Sequence, residues 1–315
     1  MKKKIVGLGE ILWDVYPDEK HLGGATSNVA FHAGNLGEEP IVVSRIGSDP
    51  LGDALLREME SRAYLTTYIQ RDPVKATGSV RIDLDEKGVP SFICGEDEAF
   101  DYLEWTEDLH RLAGQADAVF FGILAQRLPV SHQTIQSFLD TANRALKIFD
   151  PNLREIPADF LPILEASFRK ADILKLNEDE EQMLAQFYAK EARSRKEFLL
   201  WLLRKFHFKA ICLTLGERGV FCQTENEGRY SPGYLILPVD TTGSGDAFIA
   251  ALVVEWLRGK PLSQVLDFAN AVGAFVATQR GAVPKYSRTD IREFLRTHTK
   301  RTSDPYWQEM NDGTS

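Results

Sequence analysis

The sequence is poor in cysteine: 315 residues carry only Cys94, Cys212 and Cys222. An odd number gives no disulfide framework, and their spacing matches no metal or dithiol motif, so a reducing, cytoplasmic setting is the expectation. Nothing approaches the ~20 consecutive apolar residues of a membrane span. Lys2, Lys3 and Lys4 resemble the basic end of a signal peptide, but Ile5–Leu8 is too short for its apolar region. Positive charge is in deficit, with 37 Lys and Arg against 46 Asp and Glu and a net charge of −9. With no basic stripe, the charge balance argues against nonspecific binding to nucleic acid. Gly7 and Gly9 begin a dinucleotide fingerprint, yet Leu12 stands where its third glycine belongs and no helix start follows, which disfavours hydride transfer. The G-x-x-x-x-G-K-[ST] loop and the protein-kinase motif set are missing as well. So are internal repeats and low-complexity segments.

What is there is a length sufficient for one large α/β domain or two smaller ones. The most informative stretch is Val239-Asp240-Thr241-Thr242-Gly243-Ser244-Gly245-Asp246-Ala247-Phe248. It leads into an apolar segment, Ala247 to Leu257, closed by Gly259, and reads as a turn opening into a buried helix. Gly243, Ser244 and Gly245 bring little bulk, so backbone N–H groups and the helix dipole can converge on an anion. Asp246 places a carboxylate beside that anion hole. A carboxylate repels phosphate, so proton chemistry next to a transferring phosphoryl group is one reading; ordinary capping with a dipole-complementing charge is the plainer one.

The whole stretch resembles the D-T-x-G-[AS]-G-D signature of the ribokinase-like carbohydrate kinases. Near the start, Gly9-Glu10-x-Leu12-x-Asp14 and Gly23-Gly24-Ala25-x-x-Asn28 resemble the fructokinases among them. The resemblance runs up to Ala282. It implies an α/β fold, a mostly parallel sheet with helices on both faces and a small β-lid, within a domain 1–298; a polar tail, 299–315, is expected to fray. It also implies ATP and Mg²⁺ as cofactors, Asp246 as catalytic base, and Gly243, Ser244 and Gly245 as the anion hole. Asp14, Gly23, Gly24 and Asn28 would contact the sugar, a task suited to a carboxylate and an amide. Asn28 can equally cap the helix read from Asn28 to Leu36.

The remaining motifs follow in chain order. Gly47, Asp49 and Gly52 fit G-x-D-x-x-G. Strands Thr77–Leu84 and Val89–Ile93 around Asp85-Glu86-Lys87-Gly88 make a hairpin. With the segment 11–24, the strands within 76–97 would form the lid, whose outer face often pairs two subunits in the family; a homodimer is expected. From Ala118 strands and helices alternate, as in a parallel sheet with ligands at the strand C-terminal ends. Asp150-Pro151-Asn152-Leu153-Arg154 resembles the D-x-N-x-R of fructokinases, so Arg154 is a substrate ligand or a solvated loop residue. Asn177-x-x-Glu180 is a capping box in form, and in the family an N-x-x-E tied to Mg²⁺ through water. Thr214, Gly216 and Gly219 resemble the T-x-G-x-x-G nucleotide loop. Asn270 falls in the region that flanks adenine in relatives. There Asp240 and Thr242, with carbonyls near 279–282, can hold a potassium-like cation.

Together these imply an ATP-dependent kinase for the primary hydroxyl of a sugar, fructose first. A sugar acid such as 2-keto-3-deoxygluconate is the alternative, with Arg154 the one evident cation for its carboxylate. A non-catalytic sugar or nucleotide sensor is the reading from another class, and the presence of Asp246 argues against it. No nucleic-acid or membrane partner is expected.

Overall fold

A computed structural model describes residues 1–16, 19–84, 90–153, 160–188 and 194–311. The chain divides into two compact units, Met1–Ala145 with Gly281–Pro284, and Leu146–Arg280 with Lys285–Ser315.

The first unit runs β1 (Lys4–Leu8), β2 (Leu12–Val15), β3 (Lys20–Gly23), α1 (Ala25–Asn35), β4 (Glu39–Gly47), α2 (Pro50–Ser61), β5 (Ile69–Asp72), β6 (Ser79–Leu84), β7 (Pro90–Cys94), α3 (Glu107–Ala113), β8 (Ala118–Phe121) and α4 (Pro129–Thr141). Strands β8, β1, β4 and β5 lie side by side and all parallel. Their continuous apolar runs fit burial on both faces: Ile5, Val6, Leu8, Val43 and Phe121 are fully buried. A Cβ at Gly7 would fall 2.0 Å from the Thr26 carbonyl oxygen, so only glycine lets α1 pack this close to β1. A second sheet takes the order β3-β2-β6-β7; β2 and β6 are parallel, and its other pairs antiparallel. Ile11, Trp13 and Leu22 join it to the core formed by Phe31, Leu55 and Met59. The hairpin turn 85–89 lies outside the described residues. Asp49 caps α2 through the Gly52 N–H at 2.7 Å and also accepts from the Thr77 N–H at 2.8 Å, which fixes the entry to β6.

The second unit runs β9 (Leu146–Phe149), α5 (Leu161–Lys170), β10 (Ile173–Asn177), α6 (Glu178–Tyr188), α7 (Arg195–Phe206), β11 (Ala210–Thr214), β12 (Gly219–Thr224), β13 (Gly228–Pro232), α8 (Ser244–Leu257), α9 (Leu262–Ala277), α10 (Arg288–Thr297) and α11 (Pro305–Glu309). Strands β9, β10 and β11 are parallel, and β12 and β13 continue the sheet antiparallel. Residues Ala247–Glu255 of α8 are all buried, as the almost unbroken apolar sequence demands, and α8 packs against α9. Cys212 and Cys222 face each other across β11 and β12, thiol sulfurs 3.1 Å apart.

Two expectations need correction. The helix read from Asn28 begins at Ala25, and its N-cap is Gly24. The described part of the tail expected to fray, residues 299–311, instead packs within the second unit. Trp307 is fully buried, its ring centroid 5.1 Å from that of Phe221, because one large aromatic ring anchors an otherwise polar stretch.

Candidate active site

The turn before α8 has the backbone its glycines suggest. Gly243 is the N-cap in the left-handed region (φ 74°), a conformation that costs other residues strain, and no side chain caps the helix. The first-turn N–H groups of a helix have no partner within it. One of those assigned to the anion hole is already used: the Ser244 N–H donates to the Thr241 carbonyl at 3.2 Å, closing a tight turn. Anion-binding capacity therefore rests on the neighbouring N–H groups and on the Ser244 hydroxyl. Among the described residues that hydroxyl is buried without a hydrogen-bond partner. Asp246 is half-buried in the same turn.

Every residue read as a nucleotide ligand lines one cavity of 560 Å³: Asn177, Thr214, Gly216, Gly219, Gly245 and Asn270. Its apolar wall includes Pro238, Phe248, Ala274 and Ala277. Thr214 ends β11; Gly216 and Gly219, both at positive φ, bound the turn into β12, so this loop is at once a hairpin turn and a cavity wall. Asn270 takes less of the ligand than its amide suggests. Its NH₂ donates to the Ser231 carbonyl and hydroxyl, both at 2.9 Å. Asp240 and Thr242 are not among the lining residues. The Thr242 N–H donates to the Asp240 carboxylate at 2.9 Å, and the Val239 and Asp240 N–H groups both donate to the Ala277 carbonyl.

Asn177 and Glu180 form a complete capping box at α6. The Glu180 N–H donates to Asn177 Oδ1 at 2.9 Å, and Glu180 Oε2 accepts from the Asn177 N–H at 2.6 Å. Glu180 Oε1 accepts from the Leu153 N–H at 2.8 Å. With both oxygens engaged and the side chain fully buried, Glu180 acts on a cation at most through outer hydrogen bonds. Burial, then the Asp150 charge, raises its pKa to about 7 against the opposing pull of Lys175. Among the described residues no three acidic, histidine or cysteine side chains converge on a metal position. A magnesium ion here fits only as one carried by phosphate and water oxygens.

The cation that sequence reading missed is Lys175. It is buried in β10 and pairs with Asp150, at the end of β9, at 2.8 Å. Burial alone would depress the ammonium; Asp150, then Glu180 and Asp246, more than offset it, and Lys175 is held above its ordinary pKa. A lysine inside the apolar run Ile173-Leu174-Lys175-Leu176 was the available signal, since a buried charge requires a partner. Asp150 also accepts from the Asn152 N–H at 3.1 Å, with Asn152 at φ 47°. Arg154 lies outside the described residues.

In the first unit, Asp14 pairs with His21 across β2 and β3. Its carboxylate packs over Gly23, where a Cβ would lie 2.3 Å from Asp14 Oδ2. Gly24 takes φ 101°, and a Cβ there would meet the Glu10 carbonyl oxygen at 2.7 Å. Burial raises Asp14 to about 6, with His21 opposing. Asn28 is buried one turn into α1, its N–H donating to the Gly24 carbonyl at 2.9 Å. The start of α1 is filled from outside: Glu10, fully enclosed, accepts from the Thr26 N–H at 3.3 Å, and burial raises it to about 7. Arg127 is neutralised by Asp101, with two contacts of 2.7 and 2.6 Å.

Residues 10–289 match the sequence model of the pfkB family carbohydrate kinases. A protein of Pyrococcus horikoshii named as a sugar kinase is 32% identical over 280 residues, which cover 86% of this chain and 85% of that one. The structure of a Xylella fastidiosa fructokinase with bound ATP superposes with a TM-score of 0.83 at 23% identity, over 94% of this chain and 99% of the other; at that identity the likeness shows the ribokinase-like fold. A double mutant of Vibrio cholerae fructokinase, with fructose, ADP and potassium ion bound, gives 0.78 at 25% identity, over 93% and 98%.

Proposed function

The chain belongs to the pfkB family of carbohydrate kinases, and we propose that within this ATP-dependent sugar kinase family it phosphorylates the primary hydroxyl of fructose to give fructose 6-phosphate. The observation that carries the reading is the uncapped, glycine-lined start of α8, with Asp246 in its first turn, opening on the 560 Å³ cavity. ATP occupies that cavity, its phosphates toward Gly243–Gly245 and the loop Thr214–Gly219. Asp246 accepts the hydroxyl proton as the oxygen attacks the γ-phosphorus. In so loose a transition state, alignment and charge stabilisation matter more than a strong base. Magnesium, carried on the phosphates, supplies neutralising charge; Asn177 and Glu180 order its water. Asp240 and Thr242 remain the candidates for a monovalent cation.

The sugar is held by Asp14, Gly23, Gly24 and Asn28, with Arg154 as a further ligand. A neutral sugar is favoured over a sugar acid by the charges of the described residues. Arg127 and Lys175 are each neutralised by a carboxylate, whereas Asp14 and Glu10 present acidic groups at the start of α1. The test is a panel of sugars with ATP and Mg²⁺, scored by ADP release. Fructose should lead. Turnover of 2-keto-3-deoxygluconate but not of fructose would move the assignment to sugar acids, and no turnover of any sugar would favour the sensor. The lid strands and a dimer through them are part of the same proposal; a monomer by solution scattering would remove the dimer.

A further inference from the structure

The family match ends at residue 289, yet the nucleotide cavity has a lining residue beyond it, Thr302. The backbone around it runs as a short antiparallel partner to the cavity wall: the Leu235 N–H donates to the Lys300 carbonyl at 3.1 Å, and the Thr302 N–H to the Gly233 carbonyl at 2.9 Å. Arg301 uses its whole donor fork on that wall. It donates to the Pro232 carbonyl (3.1 Å from Nε), the Gly233 carbonyl (3.3 Å), the Ser231 hydroxyl (3.2 Å) and the Tyr234 hydroxyl (3.1 Å), with its guanidinium 4.0 Å over the Tyr234 ring. Nη2 also reaches Asp267 at 3.2 Å.

The other side of the wall is equally constrained. A Cβ at Gly233 would fall 2.0 Å from the Glu217 carbonyl oxygen, so Gly233 is held between the Gly216–Gly219 turn and Thr302. Arg218, in that turn, pairs with Glu178, next to Asn177, and with Asp304 at 3.0 Å. Trp307 then fixes the segment by packing on Phe221, with the Arg195 guanidinium 5.1 Å over its ring.

We propose that residues 300–307 form a strap that sets the width of the nucleotide cavity, with Arg301 and Asp304 as positioning residues for the nucleotide. The proposal rests on the reading of that cavity as the ATP site. A guanidinium donating to successive backbone carbonyls pins the wall in one place; without it, Gly233–Leu235 gains freedom that each nucleotide must remove on binding. The strap acts on nucleotide affinity and not on the chemical step.

The experiment compares the parent with Arg301→Met, which keeps the stem on Tyr234 and loses the donors, and with Asp304→Asn, which breaks the latch and keeps helix-capping capacity. Melting temperature, KM for ATP, KM for sugar and kcat are read on each. Arg301→Met should raise the KM for ATP by about tenfold, and Asp304→Asn by about two- to fivefold. Sugar KM and kcat at saturating ATP should stay within about twofold, and Asp304→Glu should restore the parent value. Unchanged ATP KM in both folded variants would overturn the strap while leaving the ATP site intact. Equal rises in both KM values would overturn it as well, pointing to general damage. Failure of the parent to bind ATP by calorimetry would overturn the cavity reading and the strap together.

Discussion

Helices α1 and α8 begin alike and end up with different tasks. Each has a glycine N-cap at positive φ, Gly24 and Gly243, and neither is capped by its own side chain. At α1 the positive end of the helix is filled by the buried Glu10 carboxylate, whereas α8 opens on a cavity with the Ser244 hydroxyl unpartnered. The same backbone device thus serves as a structural joint where a carboxyl group of the protein fills it, and as a receptor where a ligand must. A glycine-rich helix start is therefore not in itself a phosphate site; what fills it decides.

Breaking the open end should have the largest effect. Asp246→Asn keeps shape and capping capacity but cannot take a proton, so kcat is predicted to fall by about 10²–10⁴ with both KM values little changed. If Asp246 is only a dipole-complementing charge, the substitution costs about 0.3–1 kcal/mol of stability and kcat stays. Turnover and melting temperature on one preparation separate the two. Next in size is Asp14→Ala, predicted to raise sugar KM by roughly ten- to a hundredfold, the loss of a charged hydrogen bond, while ATP KM holds. Because burial lifts Asp14 to about 6, parent sugar affinity should decline as pH falls through 6, and Asp14→Asn should flatten that decline.

The closed end gives a stability effect instead. Glu10 titrates at about 7 when folded against an ordinary 4.5. The folded state thus binds the extra proton between those values. Its contribution is full below 4.5 and is lost as pH rises through 7, about 3–4 kcal/mol at most. Glu10→Gln keeps an acceptor for Thr26 and should melt higher than the parent above pH 7, with the gap closing in acid. A parent and variant that lose stability in parallel would show that Glu10 is not the group. Smallest is Glu180→Gln: kcat and its Mg²⁺ dependence should weaken modestly, with sugar KM unmoved. Full parental activity in excess EDTA would remove the metal from the account.

The comparison also explains what was legible beforehand. The α8 turn could be read because everything that makes it, from Thr241 to Asp246, is contiguous. The start of α1 was misplaced by three residues because the group that fills it, Glu10, lies well upstream, and no local pattern announces that. Lys175 was passed over for a similar reason: its partner Asp150 follows the preceding strand, far off in the chain. Strands such as Ala210–Thr214 were recognisable from their apolar runs, that one to the residue, whereas β5, β12 and β13 went unread. The packed segment around Trp307 was not, since composition weighs many polar residues above one ring.

Burial of Trp307 gives the molecule an optical handle. Its indole is fully enclosed, packed on Phe221 and covered by the Arg195 guanidinium, whereas Trp105 and Trp201 are 37% and 39% exposed. Emission from so dry a site lies to the blue of that from the wetted indoles, and the nearby cation and ring set its yield. Trp13 is buried too, at 5% exposure, so in a Trp13→Phe background the blue edge of the spectrum reports whether this segment is seated, at protein concentrations far below those calorimetry requires.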